Sequence, residues 1–223
     1  MIRWNQCHFP LHAQVSAAKN SMTASPSRQF DETARRIKSE LPAGRPLVVI
    51  GSTSFHGPDS HQLCTAIGSA LAPHTELTAV TGGMEGVQAT FSRAFAKARL
   101  QSGTAINLFH LLPSGMPACR DGVTMSAGID FFERREILGR VGDLCLVIEG
   151  GPGTQHEATV AAAGKIPLLP LGRSGGFART LYSQMTAPPS ADTADWTLLN
   201  DHNAPLSSIV DAVVRLTLAM MSL

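Results

Sequence analysis

The sequence has little of what would assign a protein quickly. Aromatic residues make up 5% of its 223 positions, with one tyrosine, too few for a base-stacking platform. The formal net charge is +1, so no basic field points to nucleic acid or an anionic membrane as partner. The cysteines Cys7, Cys64, Cys119 and Cys145 lie far apart, with no C-x-x-C pair. That spacing argues against a zinc knuckle or a disulfide framework and fits a reducing compartment. No metal site and no cofactor is expected. No apolar run is long enough to span a bilayer. The best candidate, Leu206–Leu223, is interrupted by Asp211 and Arg215, and its Ile209, Val213, Leu216 and Met220 fall at helical spacing. It reads as an amphipathic helix docked on the core. The first thirty residues contain no acid. A plain N-terminal tail or an organellar targeting segment over residues 1–29 both fit, and a cytoplasmic location is expected unless the second holds.

What the chain does have is an apolar fraction of 43%, only 16% charged residues, and twenty glycines. This suits one sizeable core, with a single ordered domain over 30–223. Asp31–Ile37 predicts a short amphipathic helix, acids first and bases later, in accord with the helix dipole. An alternation then begins. The apolar runs Pro46–Ile50, Leu77–Val80, Ile106–Leu112, Leu144–Ile148 and Pro167–Leu171 predict strands. Segments near Ser60–Leu71, Glu85–Leu100, Ile129–Arg140 and Thr154–Gly164 predict helices between them. The runs are continuous rather than alternating, the mark of parallel strands buried on both faces. The expected fold is therefore α/β, a doubly wound, mostly parallel, Rossmann-like sheet. The prolines of Pro167–Leu171 suggest a bent strand or an edge position. Residues 114–127 read as irregular, and 173–204 as a loop-bearing flank.

Three of the runs end in small or glycine-rich turns: Gly51-Ser52-Thr53-Ser54, Thr81-Gly82-Gly83 and Gly150-Gly151-Pro152-Gly153-Thr154. In an open parallel sheet, ligands sit beyond the carboxyl ends of the strands. Glycine lets backbone N–H groups approach a ligand, and a helix start adds free donors and a positive dipole end. One such turn is explained by packing; three together point to a nucleotide site. Neither G-x-G-x-x-G nor G-x-x-x-x-G-K-[ST] is present, which weighs against an ordinary dinucleotide enzyme or P-loop protein. Thr154-Gln155-His156-Glu157 has two readings. It is a T-x-x-E capping box, or Glu157 is an ionised carboxylate facing the cleft. Glu133-Arg134-Arg135-Glu136 is a solvated charged face, or it brings an arginine to a carboxylate or phosphate.

Taken together, these segments resemble the LOG family of phosphoribohydrolases, within the SLOG group of Rossmann-like folds. The family's P-G-G-x-G-T-x-x-E corresponds to Glu149–Glu157, and its E-R-K-x-x-M-like helix to Glu133–Leu138. Its G-G-G-x-x-G-L-M-G segment resembles Thr81–Ala89, and its first-strand G-S-S turn resembles Gly51–Ser54. The likeness covers about residues 46–172, and G-G-x-G-T-x-x-E is its specific part. Glu149 stands where the family has proline, Arg135 where it has lysine, Thr81 where it has the first glycine, and Gln88 and Ala89 where it has Met-Gly. The resemblance implies cleavage of the N-glycosidic bond of a nucleoside 5'-monophosphate, AMP or cytokinin-like, to free base and ribose 5-phosphate. It implies Arg134 and Glu157 as the catalytic pair. Gly51, Ser52, Gly82, Gly83, Arg135, Gly150, Gly151, Gly153 and Thr154 would hold the nucleotide. The lysine-decarboxylase label also attached to this family finds no support, since no motif marks Lys165 as a Schiff-base lysine. The rival readings are a SLOG-type sensor or carrier of a nucleotide or ADP-ribose derivative, and an interaction protein with a vestigial site. A homodimer is expected from the relatives, with Phe131, Phe132, Phe91 and Phe95 as a candidate surface or else as core.

Overall fold

Where each apolar run ends and the next helix begins decides the architecture. The computed structural model describes residues 26–223; the tail or targeting reading falls on residues outside that range, apart from 26–29. The first helix, α1 (Pro26–Glu40), begins four residues before Phe30. It is followed by β1 (Arg45–Gly51), α2 (Ser60–Leu71), β2 (Leu77–Thr81), α3 (Val87–Gln101), β3 (Leu108–Leu112) and β4 (Val123–Ser126). The second half contains α4 (Phe131–Val141), β5 (Leu144–Ile148), α5 (Pro152–Ala163), β6 (Leu168–Leu171), α6 (Gly176–Gln184), α7 (Thr193–Leu198) and α8 (Leu206–Met221). The six strands are ordered β4-β3-β2-β1-β5-β6, and every pairing is parallel.

Alternate residues of β1 serve two cores. Leu47 and Val49 pack with α2, α3 and α8, whereas Val48 and Ile50 pack with α1, α4 and α5. Both faces are covered, which explains why the strands read as unbroken apolar runs. The chain winds outward from β1 to β4, then returns to place β5 on the other side of β1. That reversal opens a crevice at the carboxyl ends of β1 and β5.

Three expectations need correction. Residues 114–127 are not wholly irregular: Val123-Thr124-Met125-Ser126 pairs with β3 as the second edge strand. Its half-exposed residues carry no continuous apolar signal. The 173–204 flank contains two short helices, α6 and α7, with Asp192 capping the N–H of Asp195. Phe91 and Phe95 stack on each other in the core, fully buried, and cannot form a subunit surface. Phe132, by contrast, is exposed near the exposed Ile129. Pro170 does lie in an edge strand, β6. Met220 is only partly buried, and Met221 takes the core position at the end of α8.

Candidate nucleotide site at the carboxyl edge

A cavity of about 380 Å³ fills the crevice between β1 and β5. Of the residues expected there, it gathers Gly51, Ser52, Arg134, Arg135, Gly151, Gly153, Thr154 and Glu157 on its walls. It also gathers Thr53, Ser54, Met84, Gln88 and Pro152, which lie in the quoted turns without having been singled out as site residues, together with Phe131 and His56; His56 alone carried no signal. Gln88 is the most informative addition. It is buried, and its Oε1 accepts the Met84 N–H, so it pins the turn after β2 against the cavity.

The helix start is where anion chemistry is best prepared. Pro152 occupies the first turn of α5 and Gly151 the N-cap, so the helix begins before Thr154. Gly153 and Thr154 fall among the first N–H groups of the helix, which have no acceptor within it. Arg135 lies over the same turn, with its Nε 3.4 Å from where a Cβ on Gly153 would stand. Free donors, a positive dipole end and a guanidinium therefore converge on one point.

This helix start rules out one of the two readings of Glu157. A capping box needs Thr154 at the N-cap; Glu157 instead lies inside the helix, 3% exposed. Its carboxylate accepts from Arg134 Nη1 in a buried ion pair. Arg134 is likewise 3% exposed, and it stands 5.7 Å from the centre of the Phe131 ring. The charged run Glu133–Glu136 is thus split: Arg134 faces inward, while Glu133 turns back to the Ile129 N–H. Burial pushes the Glu157 carboxyl above its ordinary value, against the pull of Arg134 and Arg135. Burial also lowers Arg134, against the pull of Glu157.

Gly82, Gly83 and Gly150 stand behind the cavity wall. Gly82 has no Cβ because Arg134 Nη1 occupies that space. Gly83, at φ +64°, faces Cys119 and Leu112. Gly150, at φ +102°, lies beneath the Thr154 side chain, and its carbonyl accepts the Phe177 N–H. Ser52 lines the cavity, but its hydroxyl is committed to Glu149. Glu149 is fully buried in the left-handed region, at φ +54°. Its carboxylate also accepts the N–H groups of Gly57, at 2.7 Å, and His56, at 3.1 Å. Burial alone would raise this carboxyl, but these donors outweigh it and hold it below the ordinary glutamate range. The only sequence signal was an acid where the resembled motif has proline.

Residues 45–195 match the model of the SLOG cluster4 family. The chain belongs to the SLOG cluster4 family. No curated protein matches the sequence. Among solved structures, the X-ray structure of TM1055 is 26% identical, with a TM-score of 0.53 over 64% of this chain and 82% of that one. A molybdenum cofactor binding protein from Rippkaea orientalis is 16% identical, with a TM-score of 0.52 over 76% of this chain and 95% of that one. DNA processing protein A from Helicobacter pylori is 14% identical, with a TM-score of 0.52 over 78% and 81% of the two chains. The last two share the SLOG chain's fold and establish nothing more. No helix among the described residues is long and apolar enough to cross a membrane, and they contain no cluster of potential metal ligands.

Two glycines of this SLOG site should respond oppositely to one methyl group. A Cβ on Gly51 would meet Val87 Cγ1 at 2.6 Å and press on the Ile148 carbonyl. Gly51→Ala should therefore cost about 1–3 kcal/mol in urea unfolding. A Cβ on Gly151 would meet nothing within 4 Å, and its φ of −126° is unstrained. Gly151→Ala should change stability by less than about 0.5 kcal/mol, so that any defect falls on ligand binding.

Proposed function

We propose that this protein hydrolyses the N-glycosidic bond of a nucleoside 5'-monophosphate, releasing the base and ribose 5-phosphate. The observation that carries the reading is the buried Arg134–Glu157 pair opening on the same cavity as the α5 start. The 5'-phosphate would sit on the Gly153 and Thr154 N–H groups under Arg135. Glu157 would then face the ribose. As the C1'–N bond lengthens, its electron pair leaves with the base and positive charge grows on the ribose ring. A carboxylate in a dry site stabilises that charge strongly. A carboxyl raised by burial is also the better base, suited to take a proton from the water that adds to C1'. That proton then passes to the departing base. Arg134 holds Glu157 in place and favours its ionised form.

The second reading is a nucleotide carrier or sensor without hydrolysis. It is favoured by one observation: Glu157 is almost fully enclosed and already paired. We also propose that the exposed Ile129 and Phe132 form the contact of a homodimer. Light scattering at micromolar concentration should give twice the 23.6 kDa chain mass; a monomer overturns the dimer.

Glu157→Gln decides between enzyme and carrier. The amide can still accept a hydrogen bond from Arg134 but carries no charge. Chromatography of AMP and N6-substituted AMP reactions should show base release reduced by at least about 10²-fold, with AMP still bound in calorimetry. Wild-type protein that binds AMP and releases no base supports the carrier.

The pH dependence should separate activity from folding. Protonating Glu157 removes the charge needed at the ribose, so kcat should fall on the acid side through a pKa above the ordinary glutamate value. Glu149 and Asp143 are depressed carboxyls. Their contribution to stability is complete above their unfolded values and is lost only as pH falls through the lower folded ones. Circular dichroism should therefore show a folded, inactive protein between the two limbs. Coincident loss of activity and structure would contradict the assignment of Glu157.

A further inference from the structure

A second cavity, of about 340 Å³, opens on the same carboxyl edge, beyond the ends of β1 and β6. His56 lines both cavities. Gly176, on the second cavity's wall, also packs on the turn after β5 that leads into the first. A Cβ on Gly176 would stand 2.7 Å from the Gly150 carbonyl oxygen. Gly150 immediately precedes the anion-ready turn Gly151–Thr154, so the wall of the second cavity is braced against the segment that forms the phosphate end of the first. Glu149 lies behind both, fully buried and with its carboxylate committed to Ser52, His56 and Gly57. Its charge is matched by those donors and does not face the space where a ligand would lie.

The second cavity has one uncompensated cation. Arg173 and Arg179 line it, with the imidazoles of His56 and His202, against one carboxylate, Asp59. Asp59 is paired with Arg173 at 2.9 Å, and Arg173 also donates to the carbonyls of Asp201 and Ala204. Arg173 is therefore a fixed strut, already neutralised. Arg179 is not. Its Nη2 meets the His202 imidazole at 3.0 Å, and among the described residues no carboxylate is paired with it. A guanidinium with donors to spare, beside an imidazole at a concave edge, suits a phosphate.

We propose that this cavity is a subsite for a second anionic group, one phosphate beyond the phosphate held at the α5 start. The protein then also accepts a nucleoside diphosphate or a pyrophosphate-linked nucleotide, and binds it more tightly than the monophosphate. The inference rests on the nucleotide reading of the first cavity and extends it by one phosphate. It also gives a role to Gly175 and Gly176, both at positive φ, which shape the rim between β6 and α6 without bulk.

The test is the preference for ADP over AMP, measured by calorimetry without divalent cations in the Glu157→Gln protein, so that turnover does not interfere. ADP should bind about tenfold tighter than AMP, the scale of one added charge-assisted contact. Adding Arg179→Ala and His202→Ala, both at exposed positions, should bring the ratio close to one. Lys97→Ala, an exposed cation on α3, should leave the preference intact. Equal binding of ADP and AMP, or an ADP preference that survives the double substitution, overturns the subsite while leaving the first cavity's assignment standing. If neither nucleotide binds to folded protein, both readings fall together.

Discussion

The ion pair between Arg134 and Glu157 sets the terms for everything around it. Two charges that are each 3% exposed lose several kcal/mol of hydration apiece, about what a well-made pair recovers. Such a pair is a poor way to gain stability, since apolar residues of the same volume commonly do as well. Its geometry also constrains the fold. Helices α4 and α5 must lie close, and they do so at Gly139, where a Cβ would stand 2.7 Å from the Glu157 carbonyl oxygen. The turn after β2 must leave room for the guanidinium, and Gly82 does so by having no side chain. Two glycines in different elements thus serve one ion pair that opens on a cavity, and the catalytic role proposed for the pair rests on that placement.

Glu149 and Glu157 are the same residue type on one crevice, treated in opposite ways. Glu149 receives a hydroxyl and two backbone N–H groups, and its carboxyl is held below the usual range. Glu157 is enclosed with one direct partner, and burial pushes it up. Environments that push two carboxyls apart assign them different work. Glu149 is the structural anion. It takes the donors of the first-strand turn and so fixes the 52–57 loop that forms one wall. Because Ser52 is spent on it, the most available anion donors are those at the α5 start.

The strands were legible because both faces of the sheet are covered: five continuous apolar runs correspond to the five strands β1, β2, β3, β5 and β6. The strand that was missed, Val123–Ser126, sits at an edge and is half exposed, so burial left no imprint on its composition. α6 and α7 were hidden by Gly, Pro, Ser and Asp, residues that mark loops but also begin and cap short helices. Arg99 gave no signal at all. It is fully buried, and its guanidinium donates to the carbonyls of His74, Leu77 and Ala105, contacts that join the α2–β2 and α3–β3 connections and follow no local pattern. Of the three glycine-rich turns, those after β1 and β5 contribute residues to the cavity wall, whereas Gly82 and Gly83 do not line it. What such turns could not distinguish is a glycine that makes room for a neighbouring side chain from one that leaves room for a ligand.

That distinction follows from what each missing Cβ would touch. At Gly51, Gly82 and Gly150 the space is filled by the chain itself: Val87, Arg134 and Thr154 respectively. At Gly151 it is filled by nothing. At Gly153 the nearest neighbour is the Arg135 side chain, a flexible cation that an anion would draw inward. The glycines of one motif therefore divide at the α5 start. Those before it build the turn, and those at or within it keep the backbone donors open to the cavity. An anion-binding function requires that division, because free N–H groups are useful only where no side chain of the protein covers them. Gly151, open beside a cavity that Arg134 and Arg135 line, is where the proposed anion site meets uncovered backbone.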